Sequence, residues 1–195
     1  MFASNSLIIN ILKFGLILIM VVIMSACGSG TQKWKEEVQL SDGRNIVVER
    51  ELVREAGGGE LATNLSGTKP KEYRIRIEHP KGSGQMIEWH STKISPQTWP
   101  ELPLVLDMEM GQAVVYAIVA ISAGCEVYSK YVYQNGAWVE EPLPEQFEPH
   151  TTNLLFGTKK DLPGLVNLEE KSKRNSGVGY RNADKQVGPT RKVCG

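Results

Sequence analysis

The chain has 195 residues, with 22 Lys and Arg against 22 Asp and Glu, so its formal net charge is zero. A balance this even argues against binding to a nucleic-acid backbone, which clustered cations drive, and equally against a polybasic grip on anionic lipid. A hydrophobic fraction of 41% with 23% charged residues, and no low-complexity tract, excludes a disordered chain and leaves an ordinary globular body with one core.

Residues 1–26 read as a secretory signal. Lys13 is their only charge, an unbroken apolar run follows from Phe14 to Met24, and the run gives way to small residues at Ser25 and Ala26. An uncleaved spanning helix from Leu7 to Ala26 has the ~20 residues needed, but it would carry Asn10 and Lys13 in its first half, and a lysine costs roughly 2.5–3.5 kcal/mol at a helix centre. A conventional cleaved signal is the third reading. The run Met24-Ser25-Ala26-Cys27 resembles the lipobox of bacterial lipoproteins, with Met24 where leucine is commonest. That resemblance implies a thioether-linked lipid on Cys27, cleavage in front of it, and acyl chains of the palmitate type as the membrane anchor. It also implies the periplasmic face of the outer membrane in a Gram-negative host, because Gly28 rather than Asp follows the cysteine. Residues 27–33 then form a flexible tether, and 34–195 a single β-rich domain.

Within that domain Ser41-Asp42-Gly43 separates Trp34–Leu40 from Arg44–Arg54 as the three-residue loop of a hairpin, with Gly43 left-handed. This register sets Val38 opposite Ile46 and Glu36 opposite Val48, and gathers Val38, Leu40, Ile46 and Val48 on one face; a two-residue turn would scatter them. Residues 55–71, with Gly57-Gly58-Gly59, Gly67 and Pro70, read as a long loop. Tyr73–His79 alternates polar and apolar side chains and pairs with Gln85–Ser91 as a second hairpin. Pro96, Pro100 and Pro103 exclude regular helix from 95–103.

Leu104–Met110 turns at Gly111 into Ala113–Ile121, the most apolar stretch of the body and a central strand covered on both faces. Asn135-Gly136 joins Glu126–Tyr133 to Ala137–Glu141, with Tyr131, Tyr133 and Trp138 packed across the hairpin. After Pro142 and Pro144 the pattern changes: Asn167 followed by Glu170 predicts a capped helix from Leu168 to about Arg174, ending near Gly177. The fold class expected is mainly β, an antiparallel meander forming a sandwich or partly open barrel, with one short C-terminal helix.

Once Cys27 carries lipid, Cys125 and Cys194 are the remaining thiols in an oxidising compartment, which favours a disulfide closing a loop of about 70 residues and contributing on the order of 4 kcal/mol. Two unbonded thiols are the alternative. Stretches from Trp34 to Arg50, Asn135-Gly-Ala-Trp138, Leu154-Leu-Phe156 and Asn167-Leu-Glu-Glu-Lys171 are similar to a group of uncharacterised proteobacterial proteins, a resemblance that implies no function.

Candidate chemistry is sparse. Gly57, Gly59 and Ala62 match a dinucleotide-binding spacing, but Gly67 and Pro70 leave no room for the helix it requires. His79, His90 and His150 lack metal-ligand spacing, so neither a metal nor another cofactor is expected. Glu49 with Glu51 and Asp107 with Glu109 recur at strand period and read as wet strand faces, as Lys171, Lys173 and Arg174 read as a wet helix face. Trp89 and Trp138 sit at core positions. Trp99, between prolines, has core or loop-anchoring use as its first reading and a partner contact as its second. The function expected is a non-catalytic binding or interaction module with a possible envelope protein partner; the alternative is a lipid-anchored enzyme using loops 55–71 and 95–103.

Overall fold

A computed structural model describes residues 30–56, 68–96, 99–122, 125–143, 150–156, 161–176 and 186–187. The signal segment, Cys27 and Cys194 lie outside them. Eight strands carry the architecture: β1 (Thr31–Gln39), β2 (Asn45–Ala56), β3 (Thr68–Glu78), β4 (Met86–His90), β5 (Leu102–Glu109), β6 (Gln112–Ser122), β7 (Cys125–Gln134) and β8 (Ala137–Glu141). Three two-residue strands, β9 (His150–Thr151), β10 (Leu165–Val166) and β11 (Gln186–Val187), and one helix, α1 (Leu168–Ser176), complete the described elements. One sheet runs β10-β1-β2-β3-β4 and a second runs β5-β6-β7-β8; packed together they form a mainly β sandwich, without a closed barrel.

Local chemistry fixes each hairpin. The first has the register that buries its apolar set, Val38 opposite Ile46 and Glu36 opposite Val48, and Gly43 takes the left-handed conformation the loop demands. Asn135 and Gly136 are both left-handed, as a two-residue turn matched to strand twist requires, and they set Tyr133 opposite Trp138. Met110 and Gly111 do the same between β5 and β6. β6 is central and covered on both faces. Ala113, Val115 and Ala117 face the first sheet alongside Val38, Ile75, Ile77 and Trp89, whereas Val114, Tyr116 and Ile118 face outward beneath Leu143 and Phe156. The Asn167 side chain caps α1, its Oδ1 accepting from the Glu170 N–H at 2.8 Å.

Several expectations need correction. Residues 31–33 are not tether but the start of β1, paired with 51–53, and the Gly30 carbonyl already accepts from Arg54 N at 2.9 Å. The expected loop over 55–71 is strand at both ends: Glu55 and Ala56 close β2, and Thr68 to Lys71 open β3, with Pro70 accommodated where a register shift relaxes the ladder. β10 pairs with β1 in parallel, so the meander is not purely antiparallel. Glu51 and Asp107 are buried rather than wet, and Lys171 is 4% exposed at the helix–sheet junction.

Candidate functional site

The pairing pattern leaves two backbone edges open on one side of the sandwich. Ser91 donates its N–H to the Tyr73 carbonyl and His79 donates to Gln85, so odd-numbered residues of β4 turn their main-chain groups toward β3. By alternation, the N–H and C=O of Met86, Glu88 and His90 face away. In β8 the two-residue turn makes Gln134 and Ala137 the first bonded pair, which points Trp138 and Glu140 outward in the same sense. Among the described residues no strand pairs with either free edge.

Between these edges lies a groove of about 560 Å³. Trp89, Tyr131, Tyr133 and Trp138 form its aromatic wall, with Met86 half exposed at its rim. Rings interlock edge to face, Trp89 with Tyr131 at 5.6 Å and Tyr133 with Trp138 at 5.4 Å between centroids. Neither Trp89 Nε1 nor Trp138 Nε1 finds a hydrogen-bond acceptor among the described residues. Among the described residues Glu88 and Glu140 are the acidic side chains on the lining, each ion-paired with a cation outside it, Arg76 and Lys93 respectively.

One end of the groove is stiffened by a buried carboxylate. Glu101 accepts from the Tyr131 hydroxyl at 2.8 and 3.0 Å, from Thr92 N at 2.7 Å and from Lys93 N at 3.2 Å. Burial, and beyond it the adjacent carboxylate, push the Tyr131 hydroxyl well above the ordinary tyrosine pKa, so it stays a donor. This clasp holds Thr92, Lys93 and Glu101 against Tyr131 of the second sheet.

A second cavity, about 500 Å³, opens where α1 meets the ends of β1 and β5, with Ser41, Asp107, Asn153, Lys171 and Asn175 on its lining. The Lys171 amine donates to the carbonyls of Glu37 and, at 2.5 Å, of Asn153. Burial lowers its pKa from 10.5 to about 8 against the opposing pull of Glu36. Asp107 accepts from Ser41 N at 3.1 Å, tying the first hairpin to β5. Every one of these polar groups holds two segments together, which is a structural use. Sequence spacing could not reveal it, because a solvated Lys-x-Lys-Arg cluster and a buried lysine clamp look alike in one dimension.

The outer face of the first sheet is a charge lattice. Lys35–Glu49 (3.2 Å) and Lys33–Glu51 (3.4 Å) cross from β1 to β2, while Arg74 and Arg76 reach Glu51 from β3 at 3.4 and 3.7 Å. Opposite charges alternate across the strands, so this face is close to neutral.

Of the residues singled out by sequence, Trp99 is 43% exposed, outside the core, on the linker beside the even more exposed Ile94. Cys125 opens β7, and Cys194 lies outside the described residues. The His79 ring lies against Tyr133 and His90 is exposed near the other end of β4. No group of metal-ligating side chains gathers among the described residues. No protein-family model, curated protein or solved structure matches this chain.

Proposed function

We propose that this chain is an envelope lipoprotein, held by lipid on Cys27 at the periplasmic face of the outer membrane in a Gram-negative host, and that its body is a non-catalytic binding module. The ligand is an extended polypeptide segment that adds as a strand along the groove between β4 and β8. The observation that carries this is the pair of open edges flanking one aromatic cleft. Main-chain donors and acceptors at 86, 88 and 90, and at 138 and 140, recur with strand period, a pattern that another main chain matches and a sugar or small metabolite does not. Alternate apolar side chains of the ligand would rest on Met86, Tyr133 and Trp138.

The test is crosslinking in native membranes, followed by purification and mapping of the crosslinked positions, for the parent and for Glu88→Pro and Glu140→Pro. Each proline deletes an outward N–H without touching the ladder to the neighbouring strand. Crosslinks from β4 or β8 to a partner, lost in at least one proline variant, support the reading. Repeated recovery of the protein alone, or capture indifferent to both prolines, overturns it. For the anchor, Cys27→Ser should lose the acyl mass and the membrane partition; maturation and partition identical to the parent would overturn that half.

A lipid-anchored enzyme is the second reading, and the Lys171 amine beside a cavity is what favours it. Its hydrogen bonds to two carbonyls speak for a clamp. Reductive methylation at pH 8 that modifies Lys171 ahead of the exposed lysines would move the balance toward the enzyme.

A further inference from the structure

We infer that the end of the sandwich at which β1 begins sits on the bilayer, with the Ile94 and Trp99 side chains in the headgroup interface. This rests on the proposal that Cys27 carries lipid, and two features of the chain support it. The first is chain length. Gly30 is already hydrogen-bonded to Arg54, so Gly28 and Ser29 are the only residues between the cysteine and the fold. Three residue steps reach at most about 11 Å, which keeps the start of β1 within about that distance of the membrane surface and favours this end over the far one.

The second is where the exposed apolar side chains fall. Across the first sheet Gln32 pairs with Leu52, Leu52 pairs with Tyr73, and the Tyr73 carbonyl accepts the N–H of Ser91. The linker therefore leaves β4 in the row of Gln32, two positions from Gly30. On that linker Ile94 is 66% and Trp99 43% exposed. Hydrogen bonds among the described residues present them: Ile94 bridges to Pro100, Ser95 N donates to the Trp99 carbonyl at 2.7 Å, and Trp99 N donates to Ser95 Oγ at 3.1 Å. Leaving a tryptophan and an isoleucine held in water wastes the apolar burial they could have had. Tryptophan, with an apolar body and one N–H, is the side chain best suited to the headgroup level. Lipid is the occupant because the anchor delivers this end of the molecule to it.

The measurement uses the full-length, acylated protein in phosphatidylcholine vesicles whose acyl chains carry bromine near the headgroup. Bromine should quench tryptophan emission, and Trp99→Phe should lose that quenching, since Trp34 and Trp89 are buried inside the sandwich and Trp138 packs on Tyr133 beside His79, at the opposite end of the β3–β4 ladder from Tyr73. Iodide in the water should quench Trp99 less on vesicles than in detergent-free solution after enzymatic removal of the acyl chains. If mass analysis finds Cys27 acylated while Trp99 stays open to iodide and blind to bromolipid, the orientation is wrong and the lipoprotein reading stands. If Cys27 is unmodified and the protein does not float with vesicles, both fall together.

Discussion

The Asn153 side-chain amide pairs with the main chain of Leu106 as a neighbouring strand would: its Oδ1 accepts from Leu106 N at 2.9 Å and its Nδ2 donates to Leu106 O at 2.7 Å. The same Nδ2 reaches the Gln39 carbonyl at 2.9 Å, so one amide closes the β5 edge and staples it to the end of β1. This is why the side of the sandwich near β1 and β5 is sealed while the side near β4 and β8 stays open. Asn153→Ala leaves those groups without partners, and at roughly 1 kcal/mol per net hydrogen bond the loss should be about 2–3 kcal/mol. Urea denaturation of both proteins, with an unchanged slope and a lower midpoint, is the expected result.

Glu36 and Arg50 form an ion pair with side chains 0% and 1% exposed, at 2.6 Å. The carboxylate also accepts from Trp34 Nε1 and from Leu155 N, and the guanidinium carbon lies 5.3 Å from the Trp34 ring centre. Removing one partner strands the other charge inside the protein, which costs about 3–5 kcal/mol, whereas an apolar replacement of both avoids that cost. Arg50→Met should therefore destabilise more than Glu36→Leu combined with Arg50→Met. A double variant weaker than the single would refute the account.

Stability should respond to pH through Lys171. Its folded-state pKa, about 8, lies below the unfolded 10.5, so the unfolded chain binds more protons between those values. Stability consequently rises as pH goes from about 8 toward 10.5, with a full span on the order of 3 kcal/mol. Tyr116 and Tyr131 work the other way: burial raises their pKa values, so their contribution is present below pH 10 and lost above it. The clean window is thus pH 8 to 9.5, where chemical denaturation should show an upward slope in the parent and a flat line in Lys171→Met.

The free edge of β4 makes a sharp positional forecast. Proline at 88 removes an N–H that no neighbour uses, and an exposed ion pair with Arg76 worth little. Proline at 89 breaks the ladder to Ile75 and removes a ring 1% exposed. Glu88→Pro should keep the parent's melting temperature within a few degrees, and Trp89→Pro should abolish cooperative melting in circular dichroism.

For the thiols, non-reducing peptide mapping of protein isolated from the envelope is expected to recover Cys125 linked to Cys194. Complete alkylation of both in the unfolded, unreduced protein would exclude the bond.

Much of the fold was legible because strand information is local. Alternation along Tyr73–His79, the left-handed residues Gly43, Asn135 and Gly136, and the apolar density of Ala113–Ile121 each fix a turn, a register or a central position using neighbours within a few residues. Asn167 with Glu170 fixed the start of α1 in the same way. The polar interior was not legible. Glu36, Arg50, Asp107 and Lys171 have partners 14 to 134 residues away, and their identities alone suggest wet faces.

The amino-acid order by itself determined the β character, the hairpin registers and the lipobox resemblance at Cys27, since turn chemistry and apolar period act through adjacent residues. Only the tertiary structure decided which edges remain unpaired, that an aromatic groove separates them, and that Trp99 shares an end of the molecule with Gly30. Those are relations between strands distant in the chain, set by how two sheets stack and where Asn153 and α1 close one side, and no single segment encodes them.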